Sequence, residues 1–173
     1  MLVRKARLQD ATNIYELVNS LSHDGTLLRR VFAEICENVR DFAIAESETA
    51  MFLGCGALHL YGPHLAEVRS IVVKPEAKGQ GAGAALLYSL LDEAEDQGVT
   101  SVCLFTRIPE FFVKFDFRIV EDRTALPDKI YKDCQSCPRL YRCDEVAMVR
   151  GEIPNVSILG PRVAAQRLVQ LAG

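Results

Sequence analysis

Two things are missing from this chain: a run of basic residues and a long apolar one. Lys and Arg number 20 against 23 Asp and Glu, for a formal net charge of −3, so nothing marks a footprint for a duplex phosphate backbone. No stretch approaches the roughly 20 apolar residues of a membrane span, and the opening MLVRKARLQD has no apolar signal core. Nucleic acid and membrane are therefore not expected as partners, and a cytoplasmic protein is. Repeats and low-complexity segments are also absent. What is present is ordinary for a globular protein: 173 residues, 49% apolar and 25% charged. That is enough for one domain whose core needs no covalent staples.

Periodicity orders the elements. Residues 2–7 alternate as a strand, and Asp10 stands as an N-cap before a helical face of Ile14, Leu17, Val18 and Leu21. Thr26 is a second N-cap candidate, ahead of a stripe of Leu28, Val31, Phe32, Ile35 and Val39. Arg29 and Arg30 would then lie at a helix start, where cations oppose the helix dipole. Residues 42–46 and 51–60 read as neighbouring strands, with Gly54 and Gly56 marking a bulge or a close approach. A strand over residues 67–73 (EVRSIVV) stops at Pro75, and from Ala84 a helix runs through Leu86, Leu87, Leu90, Leu91 and Ala94 to Gly98. Residues 101–106 (SVCLFT) have the near-continuous apolar pattern of a central strand. Pro109 opens a short helix, and residues 117–120 have residues 146–149 as a candidate strand partner. The order β-α-α-β-β-β-α-β-α-β describes an α/β chain whose mixed, mainly antiparallel central sheet is flanked by helices on both faces. Residues 1–150 are expected to form that domain and residues 151–173 a C-terminal tail.

Cysteines divide into two groups. Cys36, Cys55 and Cys103 sit in apolar segments and read as small core residues of a reduced protein. Cys134, Cys137 and Cys143 have the close spacing of a metal knuckle but no fourth ligand beyond loose candidates: Asp144, His23, His59 and His64. Packing, a reversible disulfide and an incomplete metal site stay open, with no metal the favoured reading. His59 and His64 flank a strand end and are read as loop or satisfied core histidines.

The stretch VVKPEAKGQGAGAALL carries the most specific signal. Between strand and helix, Lys78-Gly79-Gln80-Gly81-Ala82-Gly83 forms a loop with almost no side chain to keep a ligand away. Its backbone N–H groups and the positive end of the following helix suit a phosphate or pyrophosphate. No Lys-Ser/Thr pair follows, as a P-loop would need, and the glycine spacing is not that of a dinucleotide fold. Read as Lys78-x-x-Gly81-x-Gly83, the loop resembles the acetyl-CoA signature of the GNAT superfamily of N-acetyltransferases.

The resemblance narrows further along the chain. DGTLLRRVFAEICENVRDFAIAE from Asp24, the Gly54-Cys55-Gly56-Ala57-Leu58 and Ala66-Glu67-Val68 segments, and LPDKIYKDC..CP.....CDEVAM are similar to the short, single-domain form of N-acetylglutamate synthase. This resemblance implies acetyl transfer from acetyl-CoA to the α-amine of L-glutamate, the first step of arginine biosynthesis. It implies that Lys78, Gly79, Gln80, Gly81, Ala82 and Gly83 hold the diphosphate. The backbone of Ile71, Val72 and Val73 would pair with pantetheine and stabilise the tetrahedral intermediate. Glu67, at the family's Gly-Glu-[IV] position, would be the general base. Arg29, with the backbone around Leu27, would hold one substrate carboxylate, since a guanidinium binds a carboxylate through two hydrogen bonds. Arg139 is the candidate for the other end, with Lys129 and Lys132 as rivals. Against the pattern, Phe112 replaces an acid tyrosine, Phe105 replaces a hydroxyl and leaves Thr106 as a displaced catalytic candidate, Asp116 replaces a glycine, and Lys78 replaces Gln or Arg. A transferase for another amine, or an acetyl-CoA-sensing module without turnover, are the alternatives. Homo-oligomerisation is left open.

Overall fold

The computed structural model describes residues 1–21, 28–155 and 157. Seven strands form a sheet in the order β1-β2-β3-β4-β5-β7-β6. They are β1 (Leu2–Lys5), β2 (Phe42–Glu46), β3 (Phe52–Gly62), β4 (Leu65–Val73), β5 (Val102–Thr106), β6 (Arg118–Ile119) and β7 (Val146–Arg150). Among the described residues the α-helices are α1 (Ala11–Ser20), α2 (Phe32–Glu37), α3 (Ala82–Asp96), α4 (Pro109–Val113) and α5 (Pro127–Lys132). The expected order is observed, with α5 added. The chain divides into two compact units, Met1–His59 with Val68–Asp96, and Leu60–Glu67 with the residues from Gln97 onward.

In the first unit β1 and β3 both pair antiparallel with β2. Strand β2 is buried on both faces because its residues alternate between two partners. Phe42 and Ile44 join Ile14, Leu17 and Val18 of α1 and Ile35 of α2 in one core. The other face is kept small by Ala43 and Ala45, and α3 lies against β1 and β2. Its buried stripe is Leu86, Leu87, Leu90, Leu91 and Ala94, at the expected helical spacing.

Gly54 and Gly56 are close approaches. A Cβ on Gly54 would lie 2.5 Å from the Val72 carbonyl oxygen, and one on Gly56 would lie 3.0 Å from Leu90 Cδ1. The pairing of β2 with β3 also slips opposite this point, between Ala45 and Glu46.

Asp10 stands at the N-cap position of α1 as expected, but makes no side-chain cap hydrogen bond to that helix. Its side chain accepts the Arg7 N–H at 2.7 Å and two bonds from the Arg4 guanidinium, at 2.9 and 3.1 Å. The second helix begins at Phe32, after Val31 in extended conformation, so Arg29 and Arg30 precede a helix rather than open one. The side chain of Asn19 brackets the Arg30 backbone, accepting its N–H and donating to its carbonyl, both at 3.0 Å. That clamp holds the segment out of helical register, and the dipole argument for Arg29 lapses. The proposed N-cap Thr26 lies outside the described residues.

In the second unit β5 pairs antiparallel with β7 over five residues, and β6 adds to β7. Ala66 and Glu67 of β4 pair in parallel with Val102 and Cys103 of β5. Tyr61, Leu65, Cys103, Val120, Leu126, Ala147 and Val149 form the core of this unit. Helix α5 was not foreseen. Its six residues, PDKIYK, are too few to show an amphipathic period, and only Pro127 at its start is a helix signal.

Candidate active site

The loop singled out in the sequence leaves the end of β4 in the first unit. After a 3-10 turn over Pro75–Ala77, residues 78–81 are exposed and α3 starts at Ala82, two residues earlier than the periodicity suggests. Gly79 and Gly81 have φ of 77° and 86°, values that favour glycine. A Cβ on either would meet nothing within 4 Å, so the glycines serve backbone conformation and leave open space above the loop. The Gly81 carbonyl takes the Ala85 N–H at 2.9 Å, which starts the helix. Among the described residues no backbone carbonyl outside α3 takes the N–H of Gly79, Gly81, Ala82, Gly83 or Ala84. An α-helix leaves its first N–H groups without internal acceptors, and these donors stand beside the glycines as an anion cradle needs. The exposed Lys78 adds a cation.

Upstream on the same strand, Ser70 has φ 52°. A left-handed serine inside a strand is a strained backbone point of the kind held at functional sites. Ile71, Val72 and Val73 follow it directly, and the Val72 carbonyl is the atom approached by Gly54.

Glu67 belongs to the second unit and is 2% exposed. A buried carboxylate needs a countercharge and hydrogen bonds, and Glu67 has both. Lys129 Nζ is 2.7 Å from its Oε1, and the Tyr61 hydroxyl is 2.9 Å from its Oε2. The same hydroxyl is 2.8 Å from Asp133 Oδ2, and Lys129 Nζ is 3.2 Å from that oxygen. Lys129 also lies 5.4 Å from the centre of the Phe105 ring, a cation–π distance. Glu67 is a candidate from sequence, Tyr61 and Asp133 are not, and Lys129 is a candidate from sequence only for the substrate. An unrecognised helix placed Lys129 and Asp133, four residues apart at the end of α5, on one face.

Phe112 is 2% exposed and packs edge-on against Phe111 and Phe117, so the ring that stands in place of a tyrosine is a core residue. Asp116 has φ 65°, the conformation for which a glycine is the natural occupant.

The chain from residue 8 to 115 matches the model of the acetyltransferase (GNAT) family. This protein belongs to that family. Its relatives include an uncharacterized N-acetyltransferase of Chlorobaculum tepidum, 34% identical over 148 residues that span 86% of this chain and 94% of the relative. An amino-acid acetyltransferase of Mycobacterium tuberculosis is 31% identical over 137 residues, 78% of each chain. Among solved structures, Rv2747 from Mycobacterium tuberculosis in complex with CoA and NLQ superposes with a TM-score of 0.76 at 28% identity, covering 88% of this chain and 99% of that one. The protein is thus a GNAT N-acetyltransferase.

The other candidate residues of this GNAT chain are distributed as follows. Arg29 is exposed in the first unit, and Leu27 and His23 lie outside the described residues. Arg139 is half-buried in the second unit, with its backbone N–H 3.4 Å from Cys137 Sγ. Thr106 is buried and accepts the Ile108 N–H at 3.0 Å through Oγ1. As the neighbour of Phe105 on β5 it points to the opposite face, away from the face on which Lys129 covers Phe105. His64 is 2.7 Å from Asp128, and His59 is 3.4 Å from Asp41.

All six cysteines are free thiols. Burial pushes the Cys55 thiol up to about 12 and the Cys134 thiol up to about 11. Among the described residues no group of three His, Cys, Asp or Glu is placed to hold a metal ion. Among the same residues no helix is long and apolar enough to cross a membrane.

Proposed function

We propose that this GNAT transferase moves the acetyl group of acetyl-CoA directly to the α-amine of L-glutamate, as an N-acetylglutamate synthase supplying arginine biosynthesis. The observation that carries the reading is the match to an amino-acid acetyltransferase over 78% of both chains. The amides from Gly79 to Gly83, with Lys78 and Gln80, take the diphosphate. Backbone N–H groups of Ile71, Val72 and Val73 pair with the pantetheine arm and steady the oxyanion. Glu67 takes a proton from the substrate ammonium, freeing its lone pair to attack the thioester carbon. The carbon–sulfur bond then breaks, and a thiolate with a reference pKa of about 8.5 is a tolerable leaving group, so Thr106 has no required part. Arg29 and the Leu27 backbone hold one carboxylate of glutamate, and Arg139 holds the other.

Thiol release from acetyl-CoA, followed with L-glutamate and a panel of other amino acids and amines, tests this. Glutamate is expected to be turned over best, with Arg29→Ala raising its KM and Glu67→Gln lowering kcat near neutral pH. Turnover of another amine while glutamate stays inert would refute the substrate assignment.

A further inference from the structure

Asp128, the second residue of α5, is 1% exposed and has no part in the proposed acetyl transfer. Side chains from two distant parts of the same unit meet its carboxylate. His64 Nε2, in the turn between β3 and β4, is 2.7 Å from Oδ2, and the Ser157 hydroxyl donates to Oδ1 at 2.6 Å. A desolvated carboxylate is tolerated where polar partners meet it, and partners on both oxygens fix its position. Each partner is itself anchored. The His64 carbonyl takes the Thr100 hydroxyl at 3.3 Å, and the neighbouring Pro63 carbonyl takes the Thr100 N–H at 3.2 Å. Ser157 is delivered by the residues that follow β7. The Gly151 carbonyl takes a bond from Arg118 at 3.1 Å, the Glu152 carbonyl takes one from the Ser101 hydroxyl at 2.6 Å, and Ile153 packs on the core of this unit.

The residue after Asp128 is Lys129, whose ammonium is 2.7 Å from Glu67. A helix of six residues is too short to hold its own shape in water, so its place depends on what grips it. Tyr61, His64 and Glu67, around one turn of the sheet, meet Asp133, Asp128 and Lys129 at 2.8, 2.7 and 2.7 Å. Resting on Glu67 as the proton acceptor of the proposed function, we propose that Asp128 is a positioning residue for that base: gripped by His64 and Ser157, it keeps α5 where Lys129 lies against Glu67. A cation at that distance favours the ionised glutamate, and burial opposes it. When the grip is lost and the ammonium withdraws, burial gains, Glu67 takes up a proton at higher pH, and less of it is available as base near neutrality. Titratable groups that also face Glu67 include Tyr61 of β3 at 2.9 Å, Cys103 opposite it on β5, and Asp133, which shares the contacts of Tyr61 and Lys129. The nearby Cys134 thiol, pushed up to about 11 by burial, is protonated at neutral pH.

Turnover with the amines of the panel is measured across pH for wild type, Glu67→Gln, Asp128→Asn, Ser157→Ala, Ser157→Thr and His64→Gln. Asp128→Asn is expected to lower kcat near neutral pH about tenfold and to move the acid limb of the kcat profile up by about one pH unit, with the KM for acetyl-CoA within about twofold. Ser157→Ala should act in the same direction, about threefold, and Ser157→Thr, which restores a hydroxyl, should return most of that loss. Histidine titrates near neutrality, so His64→Gln, which keeps a donor without the charge, should retain the acid limb. Its disappearance there would assign the limb to His64 and overturn the proposal. Unmoved limbs in Asp128→Asn and Ser157→Ala, with turnover lost in Glu67→Gln, overturn the positioning role alone. Full kcat in Glu67→Gln overturns the base assignment and the positioning role with it. Carboxyl carbon NMR reads the same titration without turnover, with the Glu67 signal assigned by its loss in Glu67→Gln. Its midpoint should rise by about one pH unit in Asp128→Asn, and an unchanged midpoint overturns the proposal whatever the kinetics show.

Discussion

Replacing Lys129 with methionine removes the ammonium 2.7 Å from Glu67 while keeping an unbranched apolar stem. The side chains of Glu67, Lys129 and Asp133 are 3%, 15% and 29% exposed, so the pair is buried on the glutamate side and partly wet on the aspartate side. Breaking a fully buried ion pair from one side costs about 3–5 kcal/mol, because the remaining charge is left without compensation. Access of water to Asp133 puts the expected loss near the lower end, about 3 kcal/mol. At about 2–4 °C per kcal/mol for a chain of this size, the midpoint should fall by roughly 6–12 °C. Urea unfolding at constant m-value measures the loss directly. The double variant Lys129→Met with Glu67→Gln no longer leaves the glutamate charge unpaired, and the cycle should return about 2 kcal/mol as coupling between the two positions. A single variant within about 0.5 kcal/mol of wild type would refute the reasoning. So would a double variant no more stable than the single.

Further outcomes follow from other parts of the molecule. Gly54→Ala should destabilise by about 1–3 kcal/mol in urea unfolding, since its Cβ would stand 2.5 Å from the Val72 carbonyl oxygen and backbone cannot yield cheaply. Gly81→Ala meets no atom but must hold φ 86°, so about 1 kcal/mol of backbone strain should appear as weaker CoA binding in calorimetry with only a small change in melting temperature. Asp10 is held below its ordinary value of 3.8, first by its hydrogen bonds from Arg4. A lowered folded-state value means this contribution is complete above the unfolded value and is lost as pH falls through the folded one. Asp10→Asn should therefore cost about 2 kcal/mol at neutral pH, and the gap to wild type should close below pH 3.8. Cys55, fully buried with its thiol pushed up to about 12, should resist alkylation in the folded protein at pH 8 and react after denaturation.

Much of the fold was legible because its elements advertise themselves by period. Strand β5 is one apolar run, α3 repeats leucine at helical spacing, and the Pro75 stop with Gly79 and Gly81 isolates the loop between strand and helix. The failures share one cause. Local pattern places Arg29 and Arg30 at a helix start, but Asn19, eleven residues before Arg30, holds the backbone there by two hydrogen bonds. Asp10 does occupy the N-cap position of α1, yet its carboxylate bonds Arg4 of β1 instead of that helix. In both places a side chain more than one helical turn away in the chain set the hydrogen bonds that local pattern alone would have assigned to a helix.

From residue order alone came the run of strands and helices, the glycine loop and Glu67 as the carboxylate to watch, because each depends on neighbours a few positions away. Tertiary structure decided what surrounds that carboxylate. Tyr61, Lys129 and Asp133 stand 6, 62 and 66 positions from Glu67 in the chain, and no period or spacing joins them to it. Burial of Glu67 beside β5 creates the demand for a countercharge, and docking of the short helix α5 brings the ammonium that meets it. Whether a strand-end glutamate is a solvated surface charge or a desolvated proton acceptor depends on that burial, a property of the packed chain that its sequence neighbours do not carry.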